Sequence, residues 1–308
     1  MSRTTQMWRA GVASDPGLQR SQNEDRVFAD EARGVFLVVD GLGGHAAGET
    51  AAEVALEVVR QRIEHFDTDG DLEHELREAI AAANNHIYAL AEQRRECRGM
   101  ACVLTLAVAQ EDRVTVGHVG DSRLYLVWNG ELRKLTSDHS PVGEQEDNRE
   151  LTEQEAMNHP RRNEVYRDVG SQLHEPGDLD FVETKTVLFH SDAALLLCSD
   201  GLSDVLTSAE ISSIVERYDG NPERVARQLI EAANRAGGKD NISVVFVPGE
   251  EFVGREAASA DAARQRHAVT RVRSASSRWR PGLKSLLLVL IGMLLGIVLW
   301  IGIQRFWR

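Results

Sequence analysis

The sequence predicts an α+β fold, with antiparallel sheets and helices held to their outer faces, followed by one membrane-spanning helix at the C-terminus. Three observations lead there. Short apolar runs rich in β-branched residues alternate with segments of helical periodicity. The dipeptide Asn129-Gly130 sits between two strand-like runs, where a tight hairpin turn belongs. Residues 286–303 carry no charged or strongly polar side chain.

Strands are expected at 34–39, 104–108, 114–119, 123–127, 193–198 and 242–247. Several are apolar throughout, which implies burial on both faces. The runs 114–119 and 123–127 lie close enough in sequence to pair as a hairpin. Helices are expected at 51–66, 72–94, 208–217 and 222–236. The last has a clear start, since Asn221 supplies a cap, Pro222 suits the first helical position and Glu223 complements the helix dipole. Residues 1–248 therefore read as one folded domain and 249–282 as a linker of Ala, Ser and Arg. A membrane helix at 283–303 and a short tail at 304–308 follow.

Charge and hydropathy bound the setting. The chain has 308 residues, with 48 acidic against 35 basic and a formal charge of -13, so it has no electrostatic basis for coating nucleic acid. Cys97, Cys102 and Cys198 are too few for a disulfide scaffold and point to a reducing compartment. As a helix the apolar run measures about 27 Å at about 1.5 Å per residue, enough for a hydrocarbon core. Arg271, Arg273, Arg278, Arg280 and Lys284 precede it, and only Arg305 and Arg308 follow, which puts the long N-terminal part in the cytoplasm. The N-terminus has no apolar signal segment. The expectation is a single-pass protein of the cell membrane, with Trp300 and Trp307 as interfacial anchors and a Gly292/Gly296 pair offered to a second span.

The chemistry is signalled by acids at the ends of apolar strands. Asp40-Gly41 follows 35–39, Asp200-Gly201 follows 194–199, Asp121 follows 114–119, and Asp240 stands just before 242. Each alone is an ordinary turn. If the four strand ends meet, their carboxylates repel one another unless cations neutralise them. An all-oxygen donor set suits magnesium or manganese better than zinc.

In order along the chain, Arg20-Ser21-Gln22-Asn23-Glu24-Asp25, Asp40-Gly41-Leu42-Gly43-Gly44-His45 with Gly48-Glu49, Gly120-Asp121-Ser122-Arg123, Thr136-Ser137-Asp138-His139-Ser140, Ser199-Asp200-Gly201-Leu202 and Lys239-Asp240-Asn241 resemble the motifs of the metal-dependent serine/threonine phosphatases of the protein phosphatase 2C (PPM) family, in their bacterial form. The resemblance covers about residues 10–247. It implies a four-layer α-β-β-α sandwich of two antiparallel sheets, and hydrolysis of phosphoserine and phosphothreonine in proteins by a water bridging two divalent ions. By the same resemblance Asp40 bridges two Mn2+ or Mg2+ ions, Asp200 and Asp240 hold the first, and Glu24 with the Gly41 carbonyl serves the second. Asp121 is implied as ligand of a third, Arg20 as the phosphate clamp and Asp25 as the residue orienting the water; His45, after a glycine-rich turn, is either the general acid, since an imidazole titrates near the working pH, or a polar surface residue.

The implied partners are phosphoproteins, among them a serine/threonine kinase. Residues 141–170 correspond to a mobile flap, whose usual apolar stretch is here Glu144, Glu146, Asp147 and Glu150; the expectation is a preference for basic phosphopeptides. Gly99-Met100-Ala101-Cys102-Val103 also departs from the family's pattern, at a segment expected to support the core. None of the three cysteines has the downstream arginine that a cysteine-dependent phosphatase needs. The competing reading is a membrane-tethered pseudophosphatase that binds phosphoproteins or a kinase without turnover.

Overall fold

The computed structural model describes residues 7–43, 46–66, 70–175, 177–255 and 282–306. Two compact units emerge, Met1–Ala257 and Ala258–Arg308.

In the first unit ten strands form two five-stranded sheets. One has the order β1 (Gly11–Asp15), β10 (Ile242–Pro248), β9 (Ala194–Cys198), β6 (Arg123–Trp128), β7 (Glu131–Lys134). The other runs β2 (Arg26–Asp30), β3 (Val35–Leu42), β4 (Ala101–Gln110), β5 (Arg113–Val119), β8 (Glu183–Leu188). All neighbouring pairs are antiparallel. Alternation along each strand sorts side chains into three cores. Phe36, Val38, Leu195, Leu197 and Val245 meet between the sheets. Leu37, Val39 and Leu106 face outward onto α1 (Ala46–Ile63) and α2 (Leu72–Gln93). Leu196, Val244 and Phe246 face the other way onto α6 (Ser208–Val215) and α7 (Pro222–Arg235). This is the expected four-layer sandwich, and it explains why the central strands read as continuous apolar runs: helices cover what alternation would otherwise expose.

The helices begin where local chemistry allows. Asn221 accepts from the Arg224 amide ahead of Pro222, and Thr152 and Thr207 form capping boxes with Glu155 and Glu210 that start α4 (Glu153–Met157) and α6. Asn129 and Gly130 take φ of 52° and 74°, the left-handed pair a two-residue hairpin requires between β6 and β7.

The expected hairpin between 114–119 and 123–127 does not form. β5 pairs with β4 and β8, whereas β6 pairs with β7 and β9 in the other sheet. Gly120, with φ of 108°, turns the chain from one sheet to the other, and a side chain there would strike Val103. Residues 249–255, assigned to a linker by composition, pack on this unit: the Gly249 and Glu251 amides bond to Ala193 and Ser191, and Phe252 lies against Tyr218 and Phe246. The remainder of the expected linker, 256–281, lies outside the described residues.

In the second unit α8 spans Gly282–Phe306. Its large apolar side chains from 287 to 303 are each 48–70% exposed. Among the described residues no helix is long and apolar enough to cross a membrane; the side chains at 283–286, where the expected span 283–303 begins, lie outside them.

Leu197 is fully buried between the sheets. Leu197→Ala should lower the unfolding free energy of the first unit by about 2–5 kcal/mol, read from urea denaturation followed by tryptophan fluorescence.

Candidate active site

The antiparallel order brings the acidic strand ends to one end of the sandwich. Asp40 lies near the C-terminal end of β3, opposite Val103 at the start of β4. Asp121 follows β5, Asp200 follows β9 as the first residue of α5 (Asp200–Ser203), Asp240 precedes β10, and Glu24-Asp25 precede β2. The structure therefore gathers the predicted acids. Burial, then repulsion from Asp25, Asp200, Asp121 and Asp240, holds the Asp40 carboxyl well above the usual carboxylate range. Asp200 is raised in the same way, by burial and then by Asp204, Asp121 and Asp240. Burial, then Asp138 and Asp204, pushes Asp121 up to about 7.

Asp25 is 2% exposed. Its Oδ2 accepts from Ser199 Oγ at 2.8 Å, and that hydroxyl in turn receives the Ser243 amide at 3.0 Å. Its Oδ1 is buried with no hydrogen-bond partner among the described residues. Burial raises its pKa to about 6. An unpartnered buried carboxylate oxygen beside several other acids is the arrangement a cation completes.

Glu24 and Gly41 converge at Gly48. A Cβ built on Gly48 would fall 2.0 Å from Glu24 Oε2 and 2.8 Å from the Gly41 carbonyl oxygen, so only glycine lets α1 close over these two donors. Asn241, for which the sequence suggested no role, fastens the loop below them. Its Oδ1 receives the Glu24 amide at 2.8 Å, and its Nδ2 donates to the Gln22 and Pro16 carbonyls at 2.8 and 3.0 Å. Arg20 on the same loop is half exposed and donates to Asp240 Oδ2 at 2.7 Å. His45 lies outside the described residues.

Two features were missed in the sequence. Asp204 stands one helical turn after Asp200, a spacing visible in the sequence, and receives Arg162 Nε at 2.9 Å. Behind Asp121, the buried His118 donates from Nε2 to the Gly120 carbonyl at 3.0 Å, and His139 Nδ1 receives the Gly120 amide at 3.0 Å. Although His118, His139 and Glu183 bring ligand atoms within 4.8 Å of one another, these atoms are already engaged. Ser137 donates to Glu183, and Arg167 faces His139 Nε2 at 3.0 Å. The cluster pins the Gly120 turn.

The flap expectation changes. Glu146 and Asp147 point at Arg123 and Lys134, and Glu144 receives the Tyr166 hydroxyl. Glu146 and Asp147 are thus paired with the protein's own cations, which leaves Glu144, bonded to a neutral hydroxyl, and the exposed Glu150 to carry the expected preference for basic phosphopeptides.

Residues 19–237 match the family described as protein phosphatase 2C. The serine/threonine phosphatase Stp of Listeria welshimeri is 36% identical over 244 residues, covering 77% of this chain and 94% of that protein. The serine/threonine protein phosphatase PstP of Mycobacterium tuberculosis is 37% identical over 254 residues, covering 80% of this chain and 46% of that protein. The crystal structure of the M. tuberculosis phosphatase superposes with a TM-score of 0.71 at 34% identity over 79% of this chain and 99% of the crystallised one. The catalytic domain of PstP in complex with two manganese ions superposes with a TM-score of 0.69 at 33% identity, over 79% of this chain and 98% of that one.

Without cations, the site carboxyls hold protons more tightly in the folded than in the unfolded state. The folded protein then carries the extra protons between about pH 4, where free carboxyls titrate, and the raised values of about 6 for Asp25 and about 7 for Asp121. Stability of the cation-free protein should therefore fall as pH rises through that window. Calorimetry in a chelator should show a lower Tm at pH 7.5 than at pH 5, and added Mn2+ should raise Tm more at the higher pH.

Proposed function

The chain belongs to the protein phosphatase 2C family as a bacterial-type serine/threonine phosphatase, and we propose that its clustered acids hold the divalent cations for hydrolysis of phosphoserine and phosphothreonine in proteins. The observation that carries this reading is the convergence of Asp25, Asp40, Asp121, Asp200 and Asp240 at one sheet end, with Asp25 Oδ1 unpartnered and the carboxyls of Asp25, Asp40, Asp121 and Asp200 raised. The donors present fit hard divalent cations, since they are carboxylate and carbonyl oxygens; Cys102, opposite Gly41, and Cys198, just before Asp200, are fully buried in the apolar layers, and burial pushes both thiols up. Asp40, Asp200 and Asp240 would hold one cation, Asp40, Glu24 and the Gly41 carbonyl a second, and Asp121 a third. When bound, such ions supply an ionised water at neutral pH and neutralise phosphoryl charge.

The chain's own groups do the remainder. Asp25, fixed by Ser199, presents its free Oδ1 to accept a proton from the attacking water and orient it. Arg20 is the accessible guanidinium at the rim. Its pairing with Asp240 keeps it over the acids until a phosphate offers a better bidentate partner. The Asn241 hydrogen bonds hold the Arg20 loop and the Glu24 backbone in register with β10.

The second part of the proposal is a membrane tether. The apolar run 286–303 and the arginines preceding it in the sequence support a single span with the phosphatase unit in the cytoplasm. Tethering would concentrate the enzyme near membrane-bound phosphoproteins such as a serine/threonine kinase.

The purified chain should hydrolyse a phosphothreonine peptide with Mn2+ and stop when the metal is chelated, and Asp200→Asn should lower kcat/KM about 100-fold or more. A metal-independent rate, or an Asp200→Asn variant as active as the parent, would overturn the assignment. In cells, the full chain should sediment with membranes and resist high-salt extraction, whereas a chain ending at residue 282 should stay in the supernatant with its activity intact. Equal partitioning of the two would sink the tether.

A further inference from the structure

The flap acids Glu146 and Asp147 play no part in the reaction above, yet both are held by internal cations. Glu146 Oε2 accepts from Arg123 Nη2 at 2.7 Å, and Asp147 Oδ1 pairs with Lys134 Nζ at 2.6 Å. Both cations also reach Asp138, at 2.6 and 3.2 Å. Arg123 is 9% exposed, Asp138 4%, Lys134 16% and Glu146 17%, so these four are largely withdrawn from water, while Asp147, at 33%, closes the network from its outer edge. The flap helix α3 (Pro141–Asp147) lies directly on it, because a Cβ built on Gly143 would fall 2.3 Å from Asp138 Cβ. With α3 seated, two cations face three carboxylates. With α3 lifted, Arg123 and Lys134 would each lose a close ion-pair partner and share Asp138 alone, leaving donors of a buried guanidinium unpaired, which is costly in a low-dielectric setting.

The seat also borders the site. Arg123, Asp138, Gly143 and Glu146 line the same cavity as Asp121 and Asp200. The second half of the flap is held independently, through Glu153 to Ser208 and Arg162 to Asp204. Freeing α3 therefore need not detach the whole segment.

We propose that Glu146 and Asp147 form a charge latch that seats α3 on Arg123 and Lys134, and so pre-organises the cleft wall on which a phosphopeptide chain rests. The latch stands on geometry alone, and what it controls rests on the phosphatase reading. Glu146 and Asp147 are positioning residues. They touch no reacting atom, and their effect should fall on extended substrates rather than on a small phosphoester that needs only the carboxylate end of the cleft.

The test uses the full-length protein in detergent and the near-isosteric changes Glu146→Gln and Asp147→Asn, singly and together. Amide hydrogen exchange over residues 141–148, measured without added cation, should accelerate about tenfold or more in the double variant while β9 and β10 keep their protection. With Mn2+, KM for a phosphothreonine peptide should rise about fivefold or more at nearly constant kcat, and both constants for p-nitrophenyl phosphate should stay within about twofold of the parent's. Lys134→Met combined with Asp147→Asn should loosen α3 by less than the sum of the two separate changes, as expected of partners in one pair. Unchanged exchange in the double variant, or additive effects of Lys134→Met and Asp147→Asn, would refute the latch. Faster exchange with an unchanged peptide KM would refute its role in substrate binding. Absence of turnover in the parent protein would strike the phosphatase reading instead and leave the exchange result to decide the latch.

Discussion

Mutual repulsion among carboxylates folded into one small volume is the constraint on which this structure turns. Asp40 has four acidic neighbours, and its proton affinity rises accordingly. A cation-free chain can relieve that repulsion only by taking up protons or by loosening the site. Divalent cations relieve it with all the carboxylates ionised, so the same charges that oppose folding without metal become the ligands that hold it. The unpartnered Asp25 Oδ1 belongs to the same logic. An oxygen that would cost free energy as a passive buried group is available to a proton on an attacking water.

Such a site needs a scaffold that cannot spread. Three apolar layers grip the two central sheets from between and from both outer faces, so the ends of β3, β5, β9 and β10 are held by burial that the acids themselves do not contribute. Close approaches complete the enclosure. Gly48 brings α1 over Glu24 and the Gly41 carbonyl, and Gly201 packs against the Asn241 carbonyl with no room for a Cβ. The rigid layers position the first elements of the site, and the glycines let the backbone finish it.

The parts of the fold legible in sequence are those whose burial is decided locally. β3, β4, β9 and β10 carry uninterrupted apolar runs because helices cover them, and α7 announces itself through Asn221 and Pro222. The strands that escaped notice are edges. β1, β2 and β8 show mixed or intermediate burial and short polar-apolar patterns, and they exist because a central neighbour offers an unpaired ladder. The false hairpin between 114–119 and 123–127 has a related cause. Proximity in sequence favoured pairing, and nothing in Gly120-Asp121-Ser122 reveals that the turn changes sheets. At the site, the motif acids were legible because their residue type and order carry the chemistry. Asn241 and the histidines behind Gly120 were not, since a buried hydrogen bond leaves no periodicity behind.

The protein sorts its buried acids into two kinds, and a few residues decide which kind each becomes. Asp121 and Asp138 line one cavity with Arg123, yet Asp138, despite its burial, is held below the usual range by Arg123 and Lys134, while Asp121 rises to about 7. Arg123 bonds to Asp138 through both Nε and Nη2 and also reaches Glu146 and Tyr125, while at Asp121 its attraction is outweighed by burial and by repulsion from Asp138 and Asp204. Internal cations thus engage the acids of the flap seat, whereas at the site Asp240 pairs with Arg20 and Asp25, Asp40, Asp121 and Asp200 pair with no cation among the described residues. That division keeps the carboxylate cluster hungry for an external cation, and it makes a basic residue introduced near Asp121 a competitor for the metal rather than a neutral decoration.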